Sequence, residues 1–242
     1  MTLSSIPPGQ LSTMPSDASA HILQDLIQRI ETADTDDFFE LARLVGLNPI
    51  EDFSGADLRF VDLRSAQLVR ANLINTDLTG ATMINTNLEE AKLIGAFLQT
   101  AVLTGACLDY ANLVSANLTA ANLIGASLAN ADLTRATFVK ADLSHANLRR
   151  SNLTAATLCE ACLCEAALHH TNLKRADLSY TNLSGASLYG ADLSNCDLRR
   201  ADLSETNLTG ATVARALFGD NLGLSRDMMF ELSRRGAVFY TR

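Results

Sequence analysis

Residues 141–158 read ADLSHANLRRSNLTAATL. A large apolar residue returns at every fifth position, Leu143, Leu148, Leu153 and Leu158, and a small one stands two places before each, Ala141, Ala146, Ser151 and Ala156. Asp142, Asn147 and Asn152 lie between them. A period of five fits neither the 3.6-residue repeat of a helix nor the alternation of a plain strand. Two inward positions separated by one outward residue describe a short extended segment, and the residues before the next pair describe a corner. The stretch therefore predicts a polygonal coil. The small residue leaves room where several large side chains converge on one axis.

Outward from this stretch the register never slips. Large apolar centres run from Phe53 to Phe218 over 34 pentapeptides. Internal repetition of this kind predicts a solenoid whose turns pack only on their neighbours, so its ends need covering. Gly is frequent two residues after the centre (Gly80, Gly105, Gly125, Gly185, Gly210), which suits a corner of positive φ, and Asn75, Asn85, Asn130 and Asn195 are the usual substitutes. Arg70, Arg135, Lys140, Arg150 and Arg175 occupy the same position and lead us to expect a different turn at those corners.

The flanks differ in composition. Residues 1–52 hold nine acids and two bases, whereas the remainder is nearly neutral, with eighteen acids and seventeen bases. The reading is a disordered leader over 1–17, an N-terminal helical cap over 18–50, the repeat region over 51–219, and a C-terminal helical cap and tail over 220–242. In the tail, Ser225 is the expected N-cap, Asp227 and Arg234 suit the two ends of the helix dipole, and Gly236 is the expected stop. The opening MTLSSIPPGQLSTMPS carries neither a charged n-region nor an apolar run, and five irregularly spaced cysteines do not suggest a disulfide framework, so the expected compartment is cytoplasmic. The uncharged stretch from Tyr110 to Ala131 is long enough to cross a bilayer, but Asn112, Asn117 and Asn122 keep the polar rhythm of the repeat, and no membrane span is expected.

One cluster invites a chemical reading. CEACLCEAALHH, residues 159–170, holds three cysteines and two histidines. The repeat makes Leu163 and Leu168 inward centres, so Cys159, Cys162, Cys164, His169 and His170 point outward, around a rigid coil. Metal ligands must instead converge on one point. No metal and no cofactor are expected. Ser144 and His145 fall on outward and corner positions with no pocket between them, and phosphate-loop, dinucleotide-binding, HExxH and nucleophile-elbow motifs are absent from the sequence. A coil filled by leucine leaves no concave substrate site, and the chain reads as a non-enzyme.

The repeats resemble the pentapeptide-repeat family, A(D/N)LXX, over about 53–218, and the tail FGDNLGLSRDMMFELSRRGAVF resembles cyanobacterial members. The resemblance implies an all-β solenoid: a right-handed quadrilateral β-helix of about eight coils rising about 4.8 Å each, capped by short α-helices at both ends. Four sides would stack Ile74, Ile94 and Val114, Thr82 and Val102, and Ile84, Thr104 and Ile124, giving apolar strips suited to a protein partner. A second patch would gather Arg149, Arg150, His169 and His170, with Lys174, Arg175 and Arg135 around the adjacent corner. Interspersed Asp132, Glu160 and Glu165 argue against nucleic acid as its partner. The resulting expectation is a non-catalytic protein–protein interaction scaffold with an unidentified protein partner, monomeric or dimeric through a capped end. The resemblance also implies an alternative, a DNA-mimic modulator of DNA gyrase or topoisomerase. The near-neutral coil and its arginines depart from the acidic rod that such mimicry uses.

Overall fold

The computed structural model describes Gly46, Asn48, Glu51 and residues 53–240. The chain divides into two compact units, residues 1–53 and 54–242. The expected leader and N-terminal helices, and the acidic segment that carries them, lie outside the described residues, apart from a turn in which the Glu51 amide donates to the Asn48 carbonyl at 3.0 Å.

In the second unit, parallel bridges join each residue before a centre to the one twenty places on, from Asp57↔Asp77 through Asp202↔Leu222. With one corner per five residues, a twenty-residue repeat gives each coil four sides. The sides are too short for extended strands, because a corner follows each bridged residue.

The hydrogen bonds of residues 142–146 explain the consensus. The Leu143 and His145 amides donate to the Cys162 and Cys164 carbonyls one coil ahead, at 2.7 and 2.9 Å, while Asp142 donates back to Ala121 at 2.9 Å. The Ala146 amide closes the corner on the Leu143 carbonyl at 3.0 Å. The remaining amide, Ser144, donates to the Asp142 side chain at 2.9 Å. All five donors are thus satisfied, and the Asp or Asn of the consensus is the acceptor for a backbone N–H that the ladder cannot use. Asp77, Asn117, Asp177 and Asp202 do the same for Thr79, Thr119, Ser179 and Ser204.

The interior is solid. Centres from Leu73 to Leu203 are at most 1% exposed, and the small residues between them are equally buried. Each coil thus takes four large side chains out of water, about 1.5–3 kcal/mol apiece before entropy.

The corners correct one expectation. Arg70, Arg135, Lys140, Arg150 and Arg175 have φ of 61, 59, 60, 56 and 61°, the same left-handed conformation as Asn75 and Gly80 at 54 and 68°. No second turn type is used there. Each corner amide is drawn to a carbonyl of the next coil, as Arg70 to Glu89 at 2.8 Å, and that fixed position outweighs the residue's own reluctance.

Beyond the repeats, β1 (Leu217–Phe218) pairs in parallel with β2 (Val238–Phe239), and α1 (Arg226–Arg234) lies between them in sequence. Ser225 is the N-cap, accepting from the Met228 amide at 3.2 Å, and Asp227 and Arg234 occupy the first and last turns as expected. Gly236 leaves the helix at φ 90°. Leu232 is buried, the Phe218 and Phe239 rings stack at 5.2 Å, and the Arg235 guanidinium donates to the Ala211 carbonyl at the end of the coil. Among the described residues no helix is long and apolar enough to cross a membrane. Tyr110 to Ala131 form ordinary sides of the coil.

Candidate interaction surface

With its interior filled, the described coil offers its outer columns. Ile74, Ile94 and Val114 stand on successive coils, tied by the Asn75-to-Ile94 and Gly95-to-Val114 backbone bonds, both 2.9 Å. Thr82 and Val102 are bridged directly. Ile84, Thr104 and Ile124 form the companion column, linked by Asn85-to-Thr104 and Gly105-to-Ile124 bonds of 3.0 Å. All eight are half-buried. Around the corner from Ile94 stands Phe97, 45% exposed, which the sequence reading passed over. Its signal was available, since an aromatic ring there replaces the consensus Asp or Asn.

That replacement extends around a whole coil. Lys92, Phe97, Val102 and Cys107 occupy the acceptor position on four successive sides, and none supplies an oxygen to the amide two residues on. This coil lacks the local bond on all four of its sides and presents a varied, partly apolar rim that includes Ile94.

The basic patch is also assembled. Arg149, Arg150, His169 and His170 line one shallow groove with Tyr110, Ala129 and Asn130. The Arg150 amide donates to the His169 carbonyl at 3.0 Å, and Tyr189 meets the His169 and His170 rings edge-on at 6.4 and 5.4 Å. Burial first, then the charges of Arg149 and His170, hold His169 below the ordinary histidine value. Neither Arg149 nor Arg150 is ion-paired among the described residues, whereas Arg59, Arg64, Arg70 and Arg199 are held by Asp57, Asp62, Glu90 and Asp197 at 2.5–2.8 Å. Arg175 is apart from this groove, exposed on the next corner, and Lys174 is paired with Asp192 at 3.1 Å.

In the cysteine-rich stretch Cys159, Cys162 and Cys164 are free and half-buried. No group of three or more metal-ligating side chains converges among the described residues. Cys162 and Cys164, however, do not diverge: they flank Leu163 on one side of the coil with their Sγ atoms 2.6 Å apart. The Ser144 hydroxyl donates to Asp142 at 2.6 Å, and His145 lies against Glu165 at 3.3 Å, so each has a partner other than its sequence neighbour.

This four-sided coil with its A(D/N)LXX repeats belongs to the pentapeptide-repeat family, whose profile matches in eight copies over residues 52–89, 83–119, 116–154, 151–188 and 186–219. The family's fold is the right-handed quadrilateral β-helix. Among solved structures, the chain is similar to HetL, a pentapeptide repeat protein involved in heterocyst differentiation regulation from the cyanobacterium Nostoc sp. strain PCC 7120, at 32% identity over 66% of this chain and 86% of that one, with a TM-score of 0.51. It is also similar in fold to a trypsin-treated form of QnrB1, a plasmid-mediated fluoroquinolone resistance protein, at 17% identity over 78% and 92% of the two chains and a TM-score of 0.51. A pentapeptide repeat protein of the Arabidopsis thaliana thylakoid lumen is 27% identical over 47% of this chain and 80% of its own, with a TM-score of 0.44. No curated protein gives a significant match.

Proposed function

We propose that this chain is a non-catalytic protein–protein interaction scaffold whose outer columns meet a protein partner, with the apolar rim around Ile94 and Phe97 as the principal surface. The observation that carries this reading is the coil of Lys92, Phe97, Val102 and Cys107, where the backbone-supporting acceptor is absent from four successive sides. A surface that gives up its own stabilisation there is suited to work on something else. Ile74, Ile84, Val114 and Ile124 extend the rim along the rod, and Arg149, Arg150, His169, His170 and Arg175 add a basic region for acidic groups of the partner. Helix α1 would cover the C-terminal end of the coil, as a solenoid end requires. Similarity to HetL favours a regulatory role.

The DNA-mimic alternative has less support. The outer column Glu89, Asp109, Ala129, Arg149, His169 changes sign along its length, where mimicry of a phosphate backbone needs one sign throughout.

The test pairs binding with stability. Cross-linked pull-down from native lysate is run with wild type, Ile94→Asp and Phe97→Asn, after circular dichroism establishes folding. Phe97→Asn restores the acceptor for the Gln99 amide, so it should hold or raise the thermal midpoint while losing the captured protein. Unchanged capture by both variants would refute the apolar rim as the working surface.

A further inference from the structure

Cys162 and Cys164 are free thiols, both half-buried, separated by one residue on one side of the coil. Their Sγ–Sγ distance of 2.6 Å is well inside van der Waals contact and only about 0.5 Å beyond a disulfide bond. The backbone that carries them is pinned on both sides. Cys162 is bridged to Asp142 and Asn182, and the Cys164 carbonyl accepts from His145 at 2.9 Å. No other cysteine competes: one coil away the matching positions are Asp142, Ser144, Asn182 and Ser184, Cys159 is around the corner, Cys196 is buried, and Cys107 stands on another coil, bridged to Asn87 and Ser127. Ser144 donates its one proton to Asp142, so its hydroxyl oxygen, 3.1 Å from Cys162 Sγ, is left to accept the Cys162 S–H. That bond turns the proton away from Cys164 and leaves a sulfur lone pair facing it.

We propose that Cys162 and Cys164 form a redox-modification site, a dithiol that an external low-molecular-weight disulfide such as oxidised glutathione converts to an intramolecular disulfide. The proposal is independent of the interaction surface. One thiolate attacks the external disulfide, forming a mixed disulfide and releasing one glutathione thiolate. The second thiol, its proton lost to water, then displaces the other glutathione. In sum two protein thiols are oxidised to one disulfide, and one glutathione disulfide is reduced to two thiols. Burial above all holds the Cys164 thiol protonated, so closure is expected to quicken as pH rises. A ring spanning three residues is tight, and excess thiol should reopen it.

The full chain is equilibrated in glutathione buffers from fully reduced to fully oxidised, quenched, alkylated under denaturing conditions, and weighed intact. The expected result is a fall from five alkylatable cysteines to three, with a mass loss of about 2 Da before alkylation and the bond mapped to Cys162–Cys164. Cys162→Ser and Cys164→Ser should instead each retain a glutathione adduct on the remaining partner, and Cys159→Ser should close as wild type does. Retention of all five thiols, stable glutathione adducts on wild type, or closure lost in Cys159→Ser would each overturn the proposal. Circular dichroism on every variant separates these outcomes from misfolding.

Discussion

The buried hydroxyl of Thr86 donates to the carbonyl of Leu63, 23 residues earlier, at 2.6 Å. The same link joins Thr171 to Leu148, Thr181 to Leu158 and Thr206 to Leu183 at 2.8–2.9 Å, and the Cys196 thiol to Leu173 at 2.6 Å. Each is a polar side chain at the small inward position, reaching the carbonyl at a corner of the previous coil. The interior therefore accepts hydroxyls without leaving them unsatisfied.

Replacing Thr181 with Val tests this link. The shapes match, and the Leu158 carbonyl keeps its bond from the Ala161 amide at 3.0 Å, so only the coil-to-coil bond is lost. A cost of about 1 kcal/mol is expected, read as a lower urea midpoint at unchanged slope. An unchanged midpoint would mean that the hydroxyl fits the site without holding the coils together.

The period of five was legible because it reflects packing: an interior shared by four sides dictates which positions are large and which are small. The reason for Asp and Asn was not legible, since it depends on which amide the ladder leaves over, as at Ser144. The corners at Arg70 and Lys140 were misjudged because local propensity disfavours left-handed arginine and lysine, while the bonds that enforce it come from residues 19 places away. The columns through Ile94 and Arg149 could be placed once four sides were assumed. The meeting of Cys162 with Cys164 depends on side-chain rotation, which no spacing encodes.

Truncating Leu123, fully buried at mid-coil, to Ala should cost about 2–5 kcal/mol. Because each coil packs on its neighbours, hydrogen exchange should quicken most in the coils that contact residue 123. A uniform change along the whole repeat would argue for a single cooperative unit instead.

Acid should destabilise the protein in two windows. Burial first, then Arg149 and His170, keep His169 below its ordinary 6.5. The unfolded chain thus takes that proton first, and stability falls as pH drops from about 6.5 towards the native value. Lower down, hydrogen bonds from Arg59 hold Asp57 at about 2, and those from Arg70 and Arg199 lower Glu90 and Asp197. Their contributions are present above the unfolded carboxylate values near 4 and vanish as pH falls through the native ones. These exposed pairs are weak and screened by salt. Thermal midpoints across pH should therefore lose their upper step in His169→Asn and part of the lower one in Arg59→Gln. Identical profiles in wild type and His169→Asn would remove the groove histidine from the account.

Two glycines separate conformation from space. Gly125 has φ 65° with nothing within 4 Å of where a Cβ would stand, while at Gly223, with φ 76°, that Cβ would collide with the Ser204 backbone. Gly125→Ala therefore pays only for left-handed backbone, about 1 kcal/mol, and the neighbouring corners with Arg135 and Lys140 at φ 59 and 60° already tolerate it. Gly223→Ala must in addition push the chain entering α1 off the last coil, because main chain, unlike a side-chain tip, has no rotamer by which to yield. The second variant should lose several times more stability than the first, with the excess confined to residues after Gly219 in hydrogen exchange. Equal losses would mean that the segment leading into α1 shifts freely and that its seat on Ser204 contributes nothing.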